Sequence, residues 1–519
     1  MSEPILAADC VPALREALAD SFSGAAVAAA LGMAGRAALS RNDLLAAERL
    51  TRSGSSTETW IRLFLLGLTV SERAAAAALQ PLPVSQAIAA GLLASGPDGV
   101  SARLDLRPYS EADGPDWWVL SDLGADVRGA PLDSEHVLGI GAAATTLAQA
   151  TIRRPVDRVA DIGTGCGVQA LHLSRHAGTV VATDISERAL AVAASTAALN
   201  GLHFDLRAGS LTQPLHGETF DQIVCNPPFI VGPGFTADSG RYTYRDSGMA
   251  GDGLCRELIG SLPQLLTDGG NAQLLANWVI TGDQPWQERV AGWLPAAGCD
   301  AWIWQREVVE PAEYVFMWLR DAGEQPGSEA WKLRYHRWCD WFSASGVLAV
   351  GMGLVNIRRT GSDHSSVLCE DVRQAVQQPI GDEIAGWFDR HRWLQQADVS
   401  LLLSSRFVAD TDLVRDVREL IGPGGWRPAL TQLRQSRGMR WELEADDAVC
   451  ALVAACNGAL PLSVLIPMVV SSVLPSAEST VASVAAADSA PDREDAIAAQ
   501  LLTVVQDLVQ RGLLRLVEA

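Results

Sequence analysis

The chain has 519 residues, 48% of them hydrophobic and only 19% charged, which excludes fibrous and disordered classes and leaves room for about two to four domains. Its net charge of −21, from 61 acidic against 40 basic residues, argues against a broad electropositive face for nucleic-acid phosphates and leaves only a small local one. The nine cysteines include no C-x-x-C pair and several lie in apolar runs, as buried free thiols in a reducing, cytoplasmic setting would.

The opening segment MSEPILAADCVPALREALAD has neither a basic start nor a long apolar run, so no secretory signal is read there. Helical periodicity in TETWIRLFLLGL (57–68), SERAAAAAL (71–79) and VSQAIAAGLLAS (84–95) gives way to two strand-like runs. These are VSARLDLRPYS (100–110) and DWWVLSDL (116–123), around the turn EADGPD. Helices followed by a hairpin predict a winged-helix-like N-terminal domain over 1–125, a unit that docks proteins as readily as nucleic acid.

From Val156 the pattern turns α/β. VDRVADIG (156–163), GTVVATD (178–184), LHFDLRAGS (202–210), FDQIVCNPPF (220–229) and NAQLLANWV (271–279) read as strands alternating with helices. This predicts a doubly wound, Rossmann-like sheet within a domain over 126–360. CDAWIWQREVV (299–309) predicts an edge strand and GVLAVGMGLVNIRR (346–359) a further one, with a helical insertion at about 311–343 between them. The insertion carries Trp318, Trp331, Tyr335, Trp338 and Trp341. Core packing accounts for that density, and a lid over the substrate entrance is the alternative.

Residues 361–519 predict a mainly helical C-terminal domain whose closing helix, Gly512 turn and short strand LLRLVE again suit a winged helix. The connector 475–495 is small and polar enough for a flexible linker. The uncharged run 448–475 is long enough for a bilayer, but Asn457-Gly458, Pro461 and Pro467 divide it. Two buried helices joined by a turn are expected there, with no membrane span.

The loop Asp161-Ile162-Gly163-Thr164-Gly165-Cys166-Gly167 sets three alternate glycines between a buried strand and a helix, where the backbone must turn tightly and approach a ligand. On spacing alone a nicotinamide dinucleotide competes. Asp161 precedes the glycines, which suits a cationic ligand group better than a pyrophosphate, and Asp184 ends the second strand, where ribose hydroxyls need an acceptor. Asn226-Pro227-Pro228-Phe229 then follows a buried strand at the carboxyl edge of the sheet. The prolines offer no amide donors. The Asn226 side-chain oxygen and the Pro227 carbonyl are therefore acceptors for one planar NH2 group, with Phe229 as a stacking face. Holding both N–H bonds aims the nitrogen lone pair at a methyl carbon, and such alignment is worth on the order of 7–11 kcal/mol in favourable intramolecular cases.

With D-I-G-T-G-C-G at 161–167, Asp184 and N-P-P-F at 226–229, residues 135–310 resemble the class I S-adenosylmethionine-dependent methyltransferases that modify exocyclic amino or side-chain amide nitrogens. The resemblance implies S-adenosylmethionine as cofactor, held by Asp161, Gly163, Gly165, Gly167, Asp184 and Asn226, and catalysis by Asn226, Pro227 and Phe229, with no metal. H-V-L-G-I-G-A-A-A-T-T-L at 136–147 is similar to the stretch these enzymes place before the glycine loop, where Thr145 or Thr146 helps close the cofactor pocket. Where many relatives carry an acid beside the adenine, this chain has Gly209-Ser210-Leu211, which leaves Ser210 for that contact.

The acceptor is less sharply marked. Gly248-Met249-Ala250-Gly251-Asp252-Gly253-Leu254 resembles the G-x-D-G-L stretch of the release-factor glutamine methyltransferases, and the acidic composition agrees. Phe229 is as familiar in the ribosomal RNA guanine enzymes, for which Arg241, Arg245 and Arg256 offer a local phosphate path. The expected partner is a macromolecule, protein or RNA. A glutamine amide in a translation-related protein is favoured; an RNA or DNA base amine is the alternative, and a non-catalytic cofactor-binding scaffold is a third reading.

Overall fold

Apolar runs too short to span a helix and too hydrophobic to face water build the central sheet. It comprises β1 (Val156–Ile162), β2 (Ala177–Asp184), β3 (Asp205–Ala208), β4 (Phe220–Cys225), β5 (Leu266–Thr281), β6 (Cys299–Val309), β7 (Val347–Arg359) and β8 (Ser366–Asp371). Their order across the sheet is β8-β6-β7-β5-β4-β1-β2-β3. β7 runs antiparallel to β5 and β6, while every other neighbouring pair is parallel. Val159, Ala160, Val181, Ile223 and Val224 are fully buried, as strands covered on both faces require. The chain leaves β1 toward β2 and returns to place β4 on the other side, so a crevice opens at the carboxyl ends of β1 and β4. Packed around the sheet are α1 (Ala142–Ala150), α2 (Val168–Leu173), α3 (Glu187–Leu199), α4 (Gly253–Ser261) and α5 (Trp286–Ala291). The expected insertion is the helix pair α6 (Pro311–Asp321) and α7 (Glu329–Ala344).

This computed structural model describes residues 5–41, 43–110, 114, 116–124, 127, 135–234, 248–473 and 490–517. Two compact units emerge: Met1–Ala148 with Arg153–Val372, and Gln149–Ile152 with Arg373–Ala519. β6 is not the edge strand the sequence suggests. β8 pairs with it in parallel from Asp300 to Gln305, and its acidic end is put to use. Glu370 Oε2 accepts from Trp302 Nε1 at 2.7 Å and Asp371 Oδ1 from Gln305 Nε2 at 2.6 Å. The sheet therefore extends past the expected boundary at 360.

Gly353 of β7 lies under the backbone of β6: a Cβ there would sit 1.8 Å from the Trp304 carbonyl oxygen and 2.6 Å from the Trp278 ring. Neither neighbour is a flexible chain end. Gly353→Ala is expected to destabilise the protein by about 3 kcal/mol through overpacking. Denaturant titration checks this, and a variant as stable as the wild type would contradict it.

In the N-terminal part, helices Glu72–Ala78 and Val84–Ala89 lead into two hairpins, the second of which is the expected one in shortened form. The run 100–110 splits: Gly99–Ala102 pairs back on Leu93–Gly96, while Asp105–Ser110 pairs with Asp116–Ser121. Most of the EADGPD turn lies outside the described residues. Asn200 at the end of α3 holds the second hairpin, accepting from Trp118 N at 3.0 Å and donating to Trp118 O at 2.8 Å.

The second unit is less helical than its sequence suggests. Arg406–Ala409 stands between Asn457–Pro461 and Leu514–Leu516 in one small sheet, and Leu413–Gly422, Gly425–Gln435 and Glu442–Glu444 form an antiparallel ribbon. The uncharged run gives two helices, Asp447–Ala455 and Leu462–Val473, joined by a strand rather than a turn. Residues 475–489 of the predicted linker lie outside the described residues, and its remainder, 490–495, opens helix Ala490–Gln510. Among the described residues no single helix is long and apolar enough to cross a membrane; only the pair Val11–Ser21 and Gly24–Leu39, bent by 42°, passes that test of length and composition.

Candidate cofactor and acceptor site

The loops at the carboxyl ends of β1, β2, β3 and β4 enclose a cavity of about 310 Å³. Gly163 (φ 72°) and Gly165 (φ 53°) line it in a left-handed conformation that side chains rarely adopt. The amides of Gly163 and Thr164 both donate to Thr183 O at 2.9 Å, which ties the loop to β2. Gly167 (φ 84°) is not on the wall. A Cβ there would meet Ala193 at 3.3 Å, so Gly167 lets α2 start close against α3 rather than serving a ligand directly.

Asp184 lines the cavity with its carboxylate already oriented. Oδ1 accepts from the Ser186 amide and Oδ2 from the Gly165 amide, both at 2.9 Å. Burial raises its pKa, and these donors oppose the rise. Each oxygen keeps a second acceptor site for a ligand diol. Asp184→Ala is expected to weaken S-adenosylmethionine binding by about 10- to 100-fold, the loss of charge-assisted hydrogen bonds. Calorimetry reads this, and an unchanged affinity would remove the assigned role.

Asp161 is placed differently from the expectation. It is wholly buried behind the glycine loop and absent from the cavity wall, to which this loop contributes from Ile162 onward. Its Oδ2 accepts from Thr164 Oγ1 at 2.7 Å and from the Ala170 amide at 3.1 Å, inside α2. Oδ1 has no hydrogen-bond partner among the described residues. Burial is the main cause that lifts its pKa to about 7, with the nearby Asp184 charge adding to the rise. It therefore makes no direct contact with the cavity.

Asn226, Pro227 and Pro228 form the wall below the β4 terminus. The Asn226 Oδ1 is buried and has no partner among the described residues, an acceptor left open where burial normally demands a donor. Phe229 does not reach the cavity wall. Its ring meets Trp318 at 6.0 Å and 64°, and it packs against the apolar clusters on both sides.

Ser210 lines the cavity at an exposed position beside Gly209. Thr146 does not: it is exposed, and α1 closes the cavity with Ala143 and Ala144 instead. Two residues along a helix is about 200° of rotation, so Thr146 faces away from the side on which Ala144 lies. Thr145 Oγ1 is engaged with Gly141 O at 3.1 Å. Arg241 and Arg245 lie outside the described residues, and Arg256 is exposed on α4.

Sequence reasoning missed Glu135 and Glu257, which also line the cavity. Glu135 Oε2 accepts from Ser186 Oγ at 3.0 Å, beside Asp184. Glu257 lies three residues after Leu254, also on the wall, and that i,i+3 spacing was the available signal. Asp252 of the G-x-D-G-L stretch is structural. Buried, it binds Arg289 through both oxygens at 2.8 Å and accepts from the Val279 amide at 3.0 Å, fixing α4 to β5. Among the described residues the wall thus carries three carboxylates, Glu135, Asp184 and Glu257, and no lysine or arginine. That donor set fits an ammonium and a sulfonium and repels a pyrophosphate. Among the described residues no group of three or more His, Cys, Asp or Glu is placed to hold a metal.

Comparison with known proteins agrees with this geometry. The methyltransferase small domain matches residues 139–241, and two domains of unknown function, DUF7059 and DUF7782, match 19–103 and 385–516. The chain is 40% identical over 129 residues to a release factor glutamine methyltransferase of Xylella fastidiosa (strain Temecula1), covering 23% of this chain and 47% of that one. It is 32% identical over 120 residues to a ribosomal RNA small subunit methyltransferase C of Alcanivorax borkumensis, covering 23% and 32%. Over 149 residues it is 35% identical to a ribosomal protein uL3 glutamine methyltransferase of Bradyrhizobium diazoefficiens, covering 27% and 46%. The chain spans less than half the length of each of these curated relatives. Its central sheet domain is related to the class I S-adenosylmethionine-dependent methyltransferases.

Proposed function

We propose that the chain is an S-adenosylmethionine-dependent N-methyltransferase acting on a planar NH2 nitrogen, the side-chain amide of glutamine in a translation-related protein. One observation carries the reading: a buried Asn226 Oδ1 with no partner among the described residues, on the wall of a cavity whose described lining bears carboxylates and neither lysine nor arginine. When bound, S-adenosylmethionine supplies a methyl group on a sulfonium leaving group. The chain supplies alignment. Asn226 Oδ1 and the Pro227 carbonyl take the two N–H bonds of the acceptor and turn its lone pair toward the cavity. The same fixed acceptors favour positive charge as it develops on the nitrogen, whose proton then leaves to solvent. Asp184 holds the ribose hydroxyls, Gly163 and Gly165 admit the ligand close to the main chain, and Ser210 is available to the adenine.

The glutamine amide is supported by the G-x-D-G-L stretch, by the net charge of −21, and by similarity to two glutamine methyltransferases among the three relatives above. A base amine is the second reading, favoured by Phe229 and by the similarity to a ribosomal RNA enzyme. Incubation with labelled methyl donor and a fractionated cell lysate, followed by protease or ribonuclease on separate samples, tests the choice. Label released only by ribonuclease would overturn the glutamine reading.

Docking of the macromolecule belongs to the flanking regions in this reading. Helices Glu72–Ala78 and Val84–Ala89 with their hairpin, and helix Ala490–Gln510 with strand Leu514–Leu516, are winged-helix-like in order. A cytoplasmic location is supported by nine unpaired cysteines, seven of them buried.

A further inference from the structure

The aromatic insertion between β6 and β7 does more than fill space. Tyr314, Val315, Leu319 and Phe342 are buried in an apolar cluster with Ile230 and Val231, the residues just after the Asn226–Phe229 motif. Within that cluster both main-chain polar groups of Val231 are held by side chains of the insertion. The Val231 amide donates to Tyr314 Oη at 3.0 Å, and the Val231 carbonyl accepts from Trp338 Nε1 at 3.0 Å. Tyr314 Oη also accepts from Asn277 Nδ2 of β5 at 2.9 Å, which locks the hydroxyl to the sheet. One residue on, Gly232 O accepts from the Gly251 amide at 2.8 Å. A Cβ at Gly232 would sit 3.0 Å from Trp338 Nε1, so the indole lies directly against the main chain.

Neither Tyr314 nor Trp338 is on the cavity wall. Between Val231 and Asn226, however, stand Pro227 and Pro228, whose fixed φ leaves little slack for a displacement to be absorbed. β4 fixes the motif at one end, and the insertion fixes it at the other. Side-chain to main-chain hydrogen bonds in a water-free cluster are stiff, because an unpaired partner there has no solvent to turn to.

We infer that the insertion is a clamp on the acceptor motif, and that Tyr314 and Trp338 are positioning residues for Asn226 that act through the two main-chain polar groups of Val231. This rests on the methyltransferase reading of the site. It assigns the tryptophan-rich helix pair a role in the rate of transfer rather than in cofactor affinity or as a cover.

Hydrogen exchange on the full chain with S-adenosylmethionine present, read by mass spectrometry, tests the clamp without needing the acceptor. Tyr314→Phe and Trp338→Phe are each expected to speed exchange across 229–234 by about tenfold, the loss of one buried hydrogen bond to Val231, while β4 exchange stays at the wild-type rate. Trp331→Phe, on a ring that stacks on Tyr335 at 5.0 Å and makes neither of the Val231 hydrogen bonds, is expected to change neither. In calorimetry both clamp variants should keep the cofactor affinity within about twofold, whereas initial label transfer into cell extract at saturating cofactor should fall about tenfold. Wild-type exchange across 229–234 in both variants would overturn the clamp, and so would a fall in transfer matched by an equal fall in affinity. Full transfer by Asn226→Ala, or no transfer by the wild-type chain, would instead count against the proposed function, since exchange reads the clamp independently.

Discussion

Asn226→Ala is expected to lower turnover by about 100- to 1,000-fold while leaving the affinity for S-adenosylmethionine within about twofold. The side chain ends in an acceptor that is buried and unpartnered, and it stands on the wall beside two prolines that bring no amide donor. Such an oxygen costs stability in the empty protein and gains a donor only when an amino or amide nitrogen enters. Removing it takes away an interaction made with the acceptor while the carboxylates that face the donor stay in place. Thermal denaturation supplies the companion reading: the variant should be no less stable than the wild type. Turnover and affinity falling by the same factor would show that Asn226 holds the cofactor pocket together instead.

The second large effect is a dependence of stability on pH that Asp161 imposes. Its carboxyl titrates near 7 in the folded chain against 3.8 without the burial, so between those values the native state binds the additional proton. The stabilisation is complete below about pH 4 and is lost as pH rises through 7, a difference on the order of 4 kcal/mol for this one group. Asp161→Asn keeps an oxygen for Thr164 Oγ1 and the Ala170 amide and removes the titration. Denaturant midpoints from pH 5 to 8 should therefore fall less steeply in the variant, which gains on the wild type at pH 8. Parallel profiles for the two proteins would mean that Asp161 stays ionised in the fold.

The parts of the molecule legible in the sequence are those where one physical demand dominates. β1, β2 and β4 are buried on both faces, so their apolar runs stand out, and the glycines at 163 and 165 take φ values that few other residues accept. β8 was hidden because its apolar core is only Val367-Leu368-Cys369, and the acids after it look like surface until Trp302 and Gln305 arrive as donors. The ribbon at 413–435 was hidden by a false period. Its apolar residues at 414, 417, 420 and 421 fall at helical spacing, yet all four are exposed, and Gly422-Pro423-Gly424-Gly425 decides for a hairpin. At the site, residue types were readable but orientation was not. Asp161 faces into the protein, toward Thr164 and Ala170, Thr146 faces out, and Phe229 turns toward Trp318, a partner far along the chain.

That distance also sets an order of events during synthesis. The cavity wall is drawn from residues between Glu135 and Glu257, whereas the hydrogen bonds that hold Val231 come from Tyr314 and Trp338, 83 and 107 residues further on. A growing chain emerges from its N-terminal end, and contacts of long sequence separation close last. The chain therefore carries every wall residue of its cofactor pocket well before the motif that receives the acceptor is fixed in place. On the proposed function, the residues that would face the donor are therefore synthesised before the side chains whose hydrogen bonds fix the acceptor motif.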